Sequence, residues 1–516
     1  MDNEGSSRRV GIRRGLRAAL KGSRDPAPVA GQRRRTAGGM GDRHTRDVLD
    51  LTIRLAEVML SSGSGTADVV ATAQDVAQAF QLTDCVVDIT FTTIIVSALP
   101  TADSPPVTIV RSVRTRSIDY TRLSQLDQLI QRITAGGVSV SEAHEAMNEL
   151  TEQPHPYPRW LATLGWTGFA LGIAMLLGGS PLTCVVAALT SAVIDRVGRM
   201  LNRMKTPFFF QHAVGATIAT LVAVAVYQFT GQGLAAVVAT GIVVLLSGMT
   251  IVGSMQDALT GYMITALARL GDALFLTAGI VVGILAALQL VTAAGVEIEL
   301  HVDVGQTFVI PSRPETIAVA IVGAALAGIC LTIASYGSLR SAATAGVAAA
   351  LASSVSIGFG AMGFGQVLAT GAAAVCVGLF ATLISIRRQA PALVTATAGI
   401  TPLLPGLAVF QAVFAFAVDK RFDDGLAQML AAGATALAIG SGVVMGEFIG
   451  APLRYREGRI GEFMRKPEQP GIRRAVGRAV RRRPTGGTSP AGPASRARSV
   501  ALTPTGEETG SDSGTT

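Results

Sequence analysis

Hydrophobic residues follow different patterns before and after residue 158. Before it, apolar positions recur every three or four residues, as at Val48, Leu51 and Leu55, and this spacing predicts amphipathic helices. After it, as far as about residue 451, apolar residues run together in long stretches with few charges. Such stretches are typical of helices that cross a membrane. The pattern therefore predicts a soluble part followed by a membrane part.

The soluble part, residues 44–157, contains signals for both helices and strands. Two amphipathic helices meet at the turn "SSGSGT", and two more close the unit, the last opening with a capping-box pair, Ser139 and Glu142. Between the helix pairs, "VVDITFTTIIVSAL" and "VTIVRSV" are rich in β-branched residues and predict strands. We therefore expect a small cytosolic α/β domain that folds without lipid.

The membrane part divides into ten predicted spans, several of which exceed the ~20 residues that a bilayer requires. Their approximate bounds are 160–177, 181–198, 208–228, 233–253, 258–291, 315–335, 341–360, 363–386, 391–418 and 424–451. If the N-terminus lies in the cytoplasm, the connections on that side carry most of the loop Lys and Arg, as the positive-inside rule requires. Both termini are then cytoplasmic.

The acidic segment 293–314 separates these spans into two halves of five, residues 158–292 and 315–451. Because five is odd, the halves have opposite orientations, as in secondary transporters built from inverted repeats. Internal matches support this division. "LLSG" in the fourth span recurs as "LLPG" in the ninth. The spacing between an aspartate and two glycines also recurs, first at Asp257, Gly279 and Gly283 and again in the tenth span at Asp424, Gly446 and Gly450. The predicted fold is an α-helical polytopic membrane protein of about ten transmembrane helices, a five-plus-five inverted repeat, behind the α/β domain.

Composition agrees with a membrane protein that has polar ends. The mean hydropathy is +0.46, and apolar residues make up 49% of the chain against 15% for charged ones. Residues 1–43 and 452–516 are basic and rich in small residues, so we expect two disordered cytoplasmic tails. No folded nucleic-acid reader accompanies this charge, which argues against a nucleic-acid partner.

Charged residues inside the apolar stretches are the first candidates for a site. Arg269 follows Asp257 by twelve residues, roughly 18 Å of continuous helix at 1.5 Å per residue. An unpaired cation at that depth costs at least ~2.5 kcal/mol, and Asp272, three residues further on, can neutralise it. The two charges either satisfy each other or line a substrate or proton pathway. Glu447, near the end of the tenth span, could bind an ammonium group, carry a proton or reach the interface.

Helix-breaking residues extend the candidate site. Pro405 and Gly406 interrupt the ninth span, and Ser247 and Gly248 fall at a matching depth in the fourth. Freed backbone groups are tolerated there only where protein or water satisfies them, so these positions predict either polar half-helix ends or simple kinks. The substrate-binding or proton-coupling candidates are Arg269, Asp272, Asp257, Glu447, Ser247, Gly248, Pro405 and Gly406.

The sequence contains few of the motifs that are typical of enzymes. The sequence contains no G-x-x-x-x-G-K-[ST] phosphate loop and no cluster with metal-ligand spacing, and the four cysteines lie far apart. Asp84, Asp88 and His144 are available in the soluble part but form no nucleophile, base and orienter set. We expect a non-enzymatic protein without metal or cofactor. A membrane-anchored hydrolase acting through the soluble domain remains the alternative from another class.

The order of parts resembles the bacterial threonine/serine exporter (ThrE-like) family. The resemblance covers about residues 45–451 and rests on "RLAEVMLSSGSGTADV", "VDITFTT", "MQDALTGYMITALARLGDALFLTAGI" and "PLLPG". It implies a multi-pass protein of the bacterial cell membrane that exports threonine and serine, driven by the proton motive force. Much of that family has an acid directly after the Ser-Gly turn and an arginine shortly beyond, where this chain has Gly65 and Asp68.

The expected function is therefore export of a small amino acid, with lipid as the other partner and the oligomeric state left open. Arg269 would meet the substrate carboxylate, and Asp272 or Asp257 the ammonium. Export of a small dicarboxylate such as succinate is the alternative within transport. For that substrate Arg269 is useful and a neighbouring acid is a handicap.

Overall fold

The structure is a computed structural model. It describes residues 40–100, 105–113, 118–230, 245, 248–295, 313–386, 392–405 and 421–455, with short pieces at 408–409, 411–412 and 415–416. Residues 1–39 and 456–516 of the two predicted tails and most of the acidic segment lie outside these residues, as do 233–244 and 246–247 of the predicted fourth span.

The described residues of the N-terminal part form four helices and three strands. Their bounds are α1 Met40–Ser61, α2 Thr66–Ala79, β1 Cys85–Thr90, β2 Thr93–Ala98, β3 Val107–Ser112, α3 Tyr120–Thr134 and α4 Val140–Glu152. The strands form one antiparallel sheet in the order β1-β2-β3. Leu51, Val76, Ile94, Leu126 and Met147, from four helices and the central strand, are buried in one shared core.

Local sequence explains two boundaries in this part. Gly63 adopts φ +94°, which ends α1, because glycine takes that conformation without strain. Ser64 N and Gly63 N then donate to carbonyls of the last turn of α1. At α4 the predicted capping box is confirmed, with Ser139 and Glu142 each bonded to the other's backbone. Helix starts and stops could thus be predicted from sequence here.

Among the described residues, the membrane part contains ten helices and a 3₁₀ turn. Their bounds are α5 Arg159–Leu176, α6 Pro181–Arg203, α7 Phe208–Thr230, α8 Gly248–Leu259, α9 Met263–Ala293, α10 Pro314–Ala334, α11 Leu339–Ala361, α12 Gln366–Ile386, α13 Ala392–Gly399, the 3₁₀ turn Thr401–Leu403 and α14 Phe422–Tyr455. Seven of the described helices (α6, α7, α9 to α12 and α14) are long and apolar enough to cross a membrane. The protein is thus polytopic and helical.

The other three predicted spans differ from this picture. The first corresponds to α5, whose bounds lie within one residue of the predicted ones but which is not among these seven helices. Of the fourth, only α8 and Leu245 are described. The ninth is interrupted as predicted, because α13 ends at Gly399 and a short turn containing Pro402 follows.

Glycines let several helices approach backbone to backbone. On α5, a Cβ at Gly165 would lie 2.6 Å from the backbone nitrogen of Ala334, and one at Gly172 would lie 2.5 Å from the carbonyl oxygen of Gly323. The start of α5 therefore lies beside the end of α10, so the two helices run antiparallel.

Two other helix pairs run parallel. On α9, added Cβ atoms at Gly279 and Gly283 would meet the carbonyl oxygens of Phe209 and Ala213 on α7, at 2.8 and 2.0 Å. On α14, a Cβ at Gly446 would lie 2.2 Å from the carbonyl oxygen of Val375 on α12, and one at Gly450 would meet the Thr382 side chain further along the same helix. These are the glycines whose spacing repeats in the sequence.

Candidate functional site

Arg269 and Asp257 form a buried ion pair where α8 meets α9. The guanidinium Nη1 lies 2.9 Å from Asp257 Oδ2, and only 8% of Arg269 and 1% of Asp257 are exposed. Among the described residues Asp257 Oδ2 accepts no hydrogen bond of good geometry, so the contact with Arg269 is ionic. The guanidinium also lies over Gly253, one helical turn before Asp257. Opposite charges thus lie side by side away from solvent.

This arrangement corrects one expectation. The chain from Asp257 to Arg269 is not one helix, because α8 ends at Leu259 and Gly261, at φ +95°, turns the chain into α9. Arg269 therefore lies six residues into α9, about 9 Å along its axis. The sequence analysis expected Asp272 to neutralise Arg269, and the structure adds Asp257 as an ion-pair partner.

The turn between α1 and α2 covers this ion pair. Thr66 N donates to Asp257 Oδ1 at 2.9 Å, and Arg269 Nη2 donates to the carbonyl oxygen of Ser64 at 3.4 Å. Gly65, the N-cap of α2, supplies no side-chain cap, so the carboxylate of Asp257 takes that role. A carboxylate is favoured at this position because the N-terminal end of a helix carries partial positive charge.

A neighbouring contact attaches the β1–β2 turn to α9. The Thr265 hydroxyl accepts from Phe91 N at 3.0 Å and donates to the carbonyl oxygen of Ile89 at 3.2 Å. Tyr262, the residue before α9, packs against the core of the N-terminal part. Sequence reasoning missed this contact, because the residues involved are ordinary threonine and apolar positions.

A second contact joins the N-terminal part to the turn between α10 and α11. Tyr157 Oη lies 2.8 and 3.0 Å from the carbonyl oxygens of Ile333 and Gly337. His155 stacks on Tyr336 with ring centroids 4.1 Å apart, and its Nδ1 lies 2.8 Å from the buried carboxylate of Asp119. Burial, with the nearby Asp119 charge, raises the pKa of Tyr157, so the phenol stays protonated and can donate.

The remaining predicted site residues lie in three places. Asp272 and Glu447 are half-buried, one on α9 a turn beyond Arg269 and the other on α14. Pro405 follows the 3₁₀ turn and its carbonyl oxygen accepts from Val409 N, while Gly248 begins α8. Ser247 and Gly406 lie outside the described residues.

The alternative of a soluble catalytic centre gains nothing from the geometry. His144 Nε2 lies 2.9 Å from the carbonyl oxygen of Asp47. His144 is on α4, whereas Asp88 is on β1. Within the ranges that the structure describes, no group of three or more His, Cys, Asp and Glu could hold a metal ion.

Comparisons with known proteins cover both parts of the chain. The family described as "Putative threonine/serine exporter" matches residues 50–291, and the family "Threonine/Serine exporter, ThrE" matches residues 317–449. The gap between the two matches falls at the predicted junction of the two halves. No solved structure matches the chain.

Two bacterial relatives align over most of their length. A "Probable threonine/serine exporter" of Mycobacterium tuberculosis is 70% identical over 98% of this chain and 96% of its own. The "Threonine/serine exporter" of Corynebacterium glutamicum is 34% identical over 79% of this chain and 83% of its own. With both family matches and this identity across the N-terminal and membrane parts, the chain belongs to the threonine/serine exporter (ThrE) family.

Proposed function

We propose that this chain exports L-threonine and L-serine from the bacterial cytoplasm as a secondary transporter driven by the proton motive force. The observation that carries the proposal is the buried Asp257–Arg269 pair. A zwitterionic amino acid needs a cation for its carboxylate and an anion for its ammonium, a few ångströms apart. Arg269 and Asp257 supply both, in a place from which water is largely excluded.

The relatives' names favour the same substrate class, since both are called threonine/serine exporters. The pair also weighs against a dicarboxylate. A second substrate carboxylate would lie close to Asp257, and like charges in a site of low dielectric repel strongly. Asp272 and Glu447 remain candidates for proton coupling.

The helix arrangement supports a five-plus-five inverted repeat. The antiparallel α5 and α10 are the first helices of the two predicted halves, and in an inverted repeat these must run in opposite directions. The parallel pair α7 and α9 corresponds to the parallel pair α12 and α14, with glycines of equal spacing at both contacts. When two helices run parallel, the chain that connects them must cross the membrane part once in the opposite direction. This return would lie in the region of α8, between α7 and α9, and in the region of α13, between α12 and α14.

The start of α8 lies near the interruption after α13. Met249 belongs to one apolar cluster with Ala398, and Ile251 shares another with Ile400 and Leu403. Half-helix ends that meet inside the membrane part can present backbone polar groups to a substrate or ion. We infer that the pathway leads from the Asp257–Arg269 pair toward this interruption.

We infer the orientation from the same contacts together with the loop charges. The N-terminal part touches the α8–α9 turn, the α10–α11 turn and, through Tyr120 and Leu123, the start of α13 at Val394. The distribution of Lys and Arg assigns all three places to the cytoplasmic side. Two independent signals thus favour a cytoplasmic N-terminal part and an entrance for substrate beside it.

Efflux from proteoliposomes containing the purified chain tests the proposal. Vesicles are loaded with labelled L-threonine, L-serine or succinate, and a gradient, acidic outside and negative inside, is imposed. We expect threonine and serine to leave faster with protein than without it, to slow when an uncoupler is added, and succinate to stay. Succinate leaving faster than both amino acids, or no protein-dependent efflux of any of the three, would overturn the assignment.

A further inference from the structure

We propose that the turn Ser64–Thr66 is a tethered competitor of the substrate, which occupies the Asp257–Arg269 pair and closes it to the cytoplasm until an amino acid displaces it. This inference rests on the proposed function, since it takes the pair as the amino-acid site. It gives the N-terminal part a role in controlling export.

The turn presents the charge pattern of a zwitterion to the pair. The Ser64 carbonyl oxygen faces Arg269, where a substrate carboxylate would lie, and the Thr66 N–H faces Asp257, where an ammonium would lie. The helix ends reinforce this pattern, because α1 has just ended with its negative end and α2 begins with its positive end. The turn thus meets each charge with its opposite.

The side chains of the turn match the substrate class as well. Ser64 and Thr66 are 1% and 0% exposed, and neither hydroxyl has a hydrogen-bond partner among the described residues. Buried polar groups in folded proteins are nearly always bonded, so two unpartnered hydroxyls at one contact require an explanation. Leaving both hydroxyls unbonded makes the docked turn less stable than a fully bonded contact, as a segment that substrate can displace requires.

Competition between turn and substrate predicts how export responds to concentration. While the turn is docked the pair is closed, and the apparent affinity for substrate falls by the fraction of molecules that are open. Export would then remain slow at low cytoplasmic threonine and rise once threonine can displace the turn. The contacts of Tyr157 and His155 with the α10–α11 turn would hold the N-terminal part in place meanwhile.

The substitution Thr66→Pro removes the N–H that donates to Asp257 and suits the local backbone. Thr66 is the first residue of α2, where proline is well tolerated. Gly65 before it has φ −61° and ψ 146°, the conformation that a residue before proline prefers. Thr66→Val is the matched reference, because it also lacks the hydroxyl but keeps the N–H.

Efflux of labelled L-threonine from proteoliposomes is measured against lumenal concentration for both full-length variants. We expect the KM of Thr66→Pro to be at least about fivefold lower than that of Thr66→Val, because more molecules are open. Equal KM values, or a higher KM for Thr66→Pro, would overturn the inference. If neither these variants nor the parent moves threonine at all, the proposed function itself has failed.

Hydrogen exchange on the parent protein gives a second test that needs no variant. Peptides covering residues 62–69 are followed with and without L-threonine, at concentrations where binding is confirmed by equilibrium dialysis. We expect bound threonine to speed exchange in these peptides. Unchanged or slower exchange with threonine bound would show that the turn and the substrate do not compete.

Discussion

Removing one member of the Asp257–Arg269 pair should be more damaging to stability than removing both. The partners are 2.9 Å apart and almost wholly buried, so water cannot replace a missing partner. Breaking such a pair from one side costs ~3–5 kcal/mol, whereas replacing both charges is often close to neutral. We expect the variant Arg269→Leu with Asp257→Asn to be at least ~2 kcal/mol more stable than either single variant.

The assay is the heat resistance of purified protein, taken as the fraction that stays monodisperse after heating in detergent. The neutral double variant keeps an amide oxygen to accept from Thr66 N, so the turn retains one contact. The two single variants should lose monodispersity several degrees earlier. A double variant that is no more resistant than the worse single variant would refute the reasoning about the buried charges.

Export separates a structural pair from a binding pair. We expect the double variant to reach the membrane and yet lose threonine efflux by at least about tenfold, or ~1.4 kcal/mol. The control is a second ion pair, Asp195 with Arg199, whose oxygen and nitrogen lie 2.7 Å apart on α6. Asp195→Asn with Arg199→Leu should retain efflux. If the Asp257 and Arg269 double variant kept efflux within about a factor of two, under ~0.5 kcal/mol, the pair would be structural.

Three further predictions concern packing, docking and thiol chemistry. Gly283→Ala would place a Cβ 2.0 Å from the carbonyl oxygen of Ala213, so it should lower heat resistance by the equivalent of ~1–3 kcal/mol. The control is Gly271→Ala on the same helix, which places its Cβ in open space and should leave heat resistance unchanged. Tyr157→Phe removes the hydroxyl that lies within hydrogen-bond distance of the Ile333 and Gly337 carbonyl oxygens and should cost ~0.5–1.5 kcal/mol, also measured by heat resistance; an unchanged value would contradict a stabilising role for this contact. Burial raises the pKa of Cys85 to about 11. The thiolate fraction, and with it the rate of labelling by iodoacetamide, should therefore rise roughly tenfold per pH unit from pH 8 to pH 10. A labelling rate that levels off near pH 9 would contradict the raised pKa.

Local sequence was enough to predict the helices and strands but not the contacts between distant segments. The "SSGSGT" corner and the capping box at Ser139 follow from residue types within a few positions of each other. The apolar runs likewise predicted the seven long spans. Each of these features depends on short-range geometry, which periodicity and capping rules describe.

The candidate site depends on long-range geometry, and the sequence identified only part of it. Arg269 and Asp257 both stood out as charges among apolar residues, so the right residue types were found. Their pairing required the turn at Gly261, a single glycine in an apolar stretch that gave no strong signal of a helix break. Thr66 and Ser64 lie about two hundred positions from their partners, and nothing in their neighbourhood indicates a contact with the membrane part.

The most direct test of the account compares L-serine with glycerate, which carries a hydroxyl in place of the ammonium group. If Asp257 recognises the ammonium, the parent exports serine in preference to glycerate, and Asp257→Asn lowers the ratio of the two efflux rates by at least about tenfold, or ~1.4 kcal/mol. The ratio does not depend on how much of the variant reaches the membrane. A ratio that stays the same in Asp257→Asn, with both rates reduced equally, would contradict the assignment of this carboxylate to the substrate.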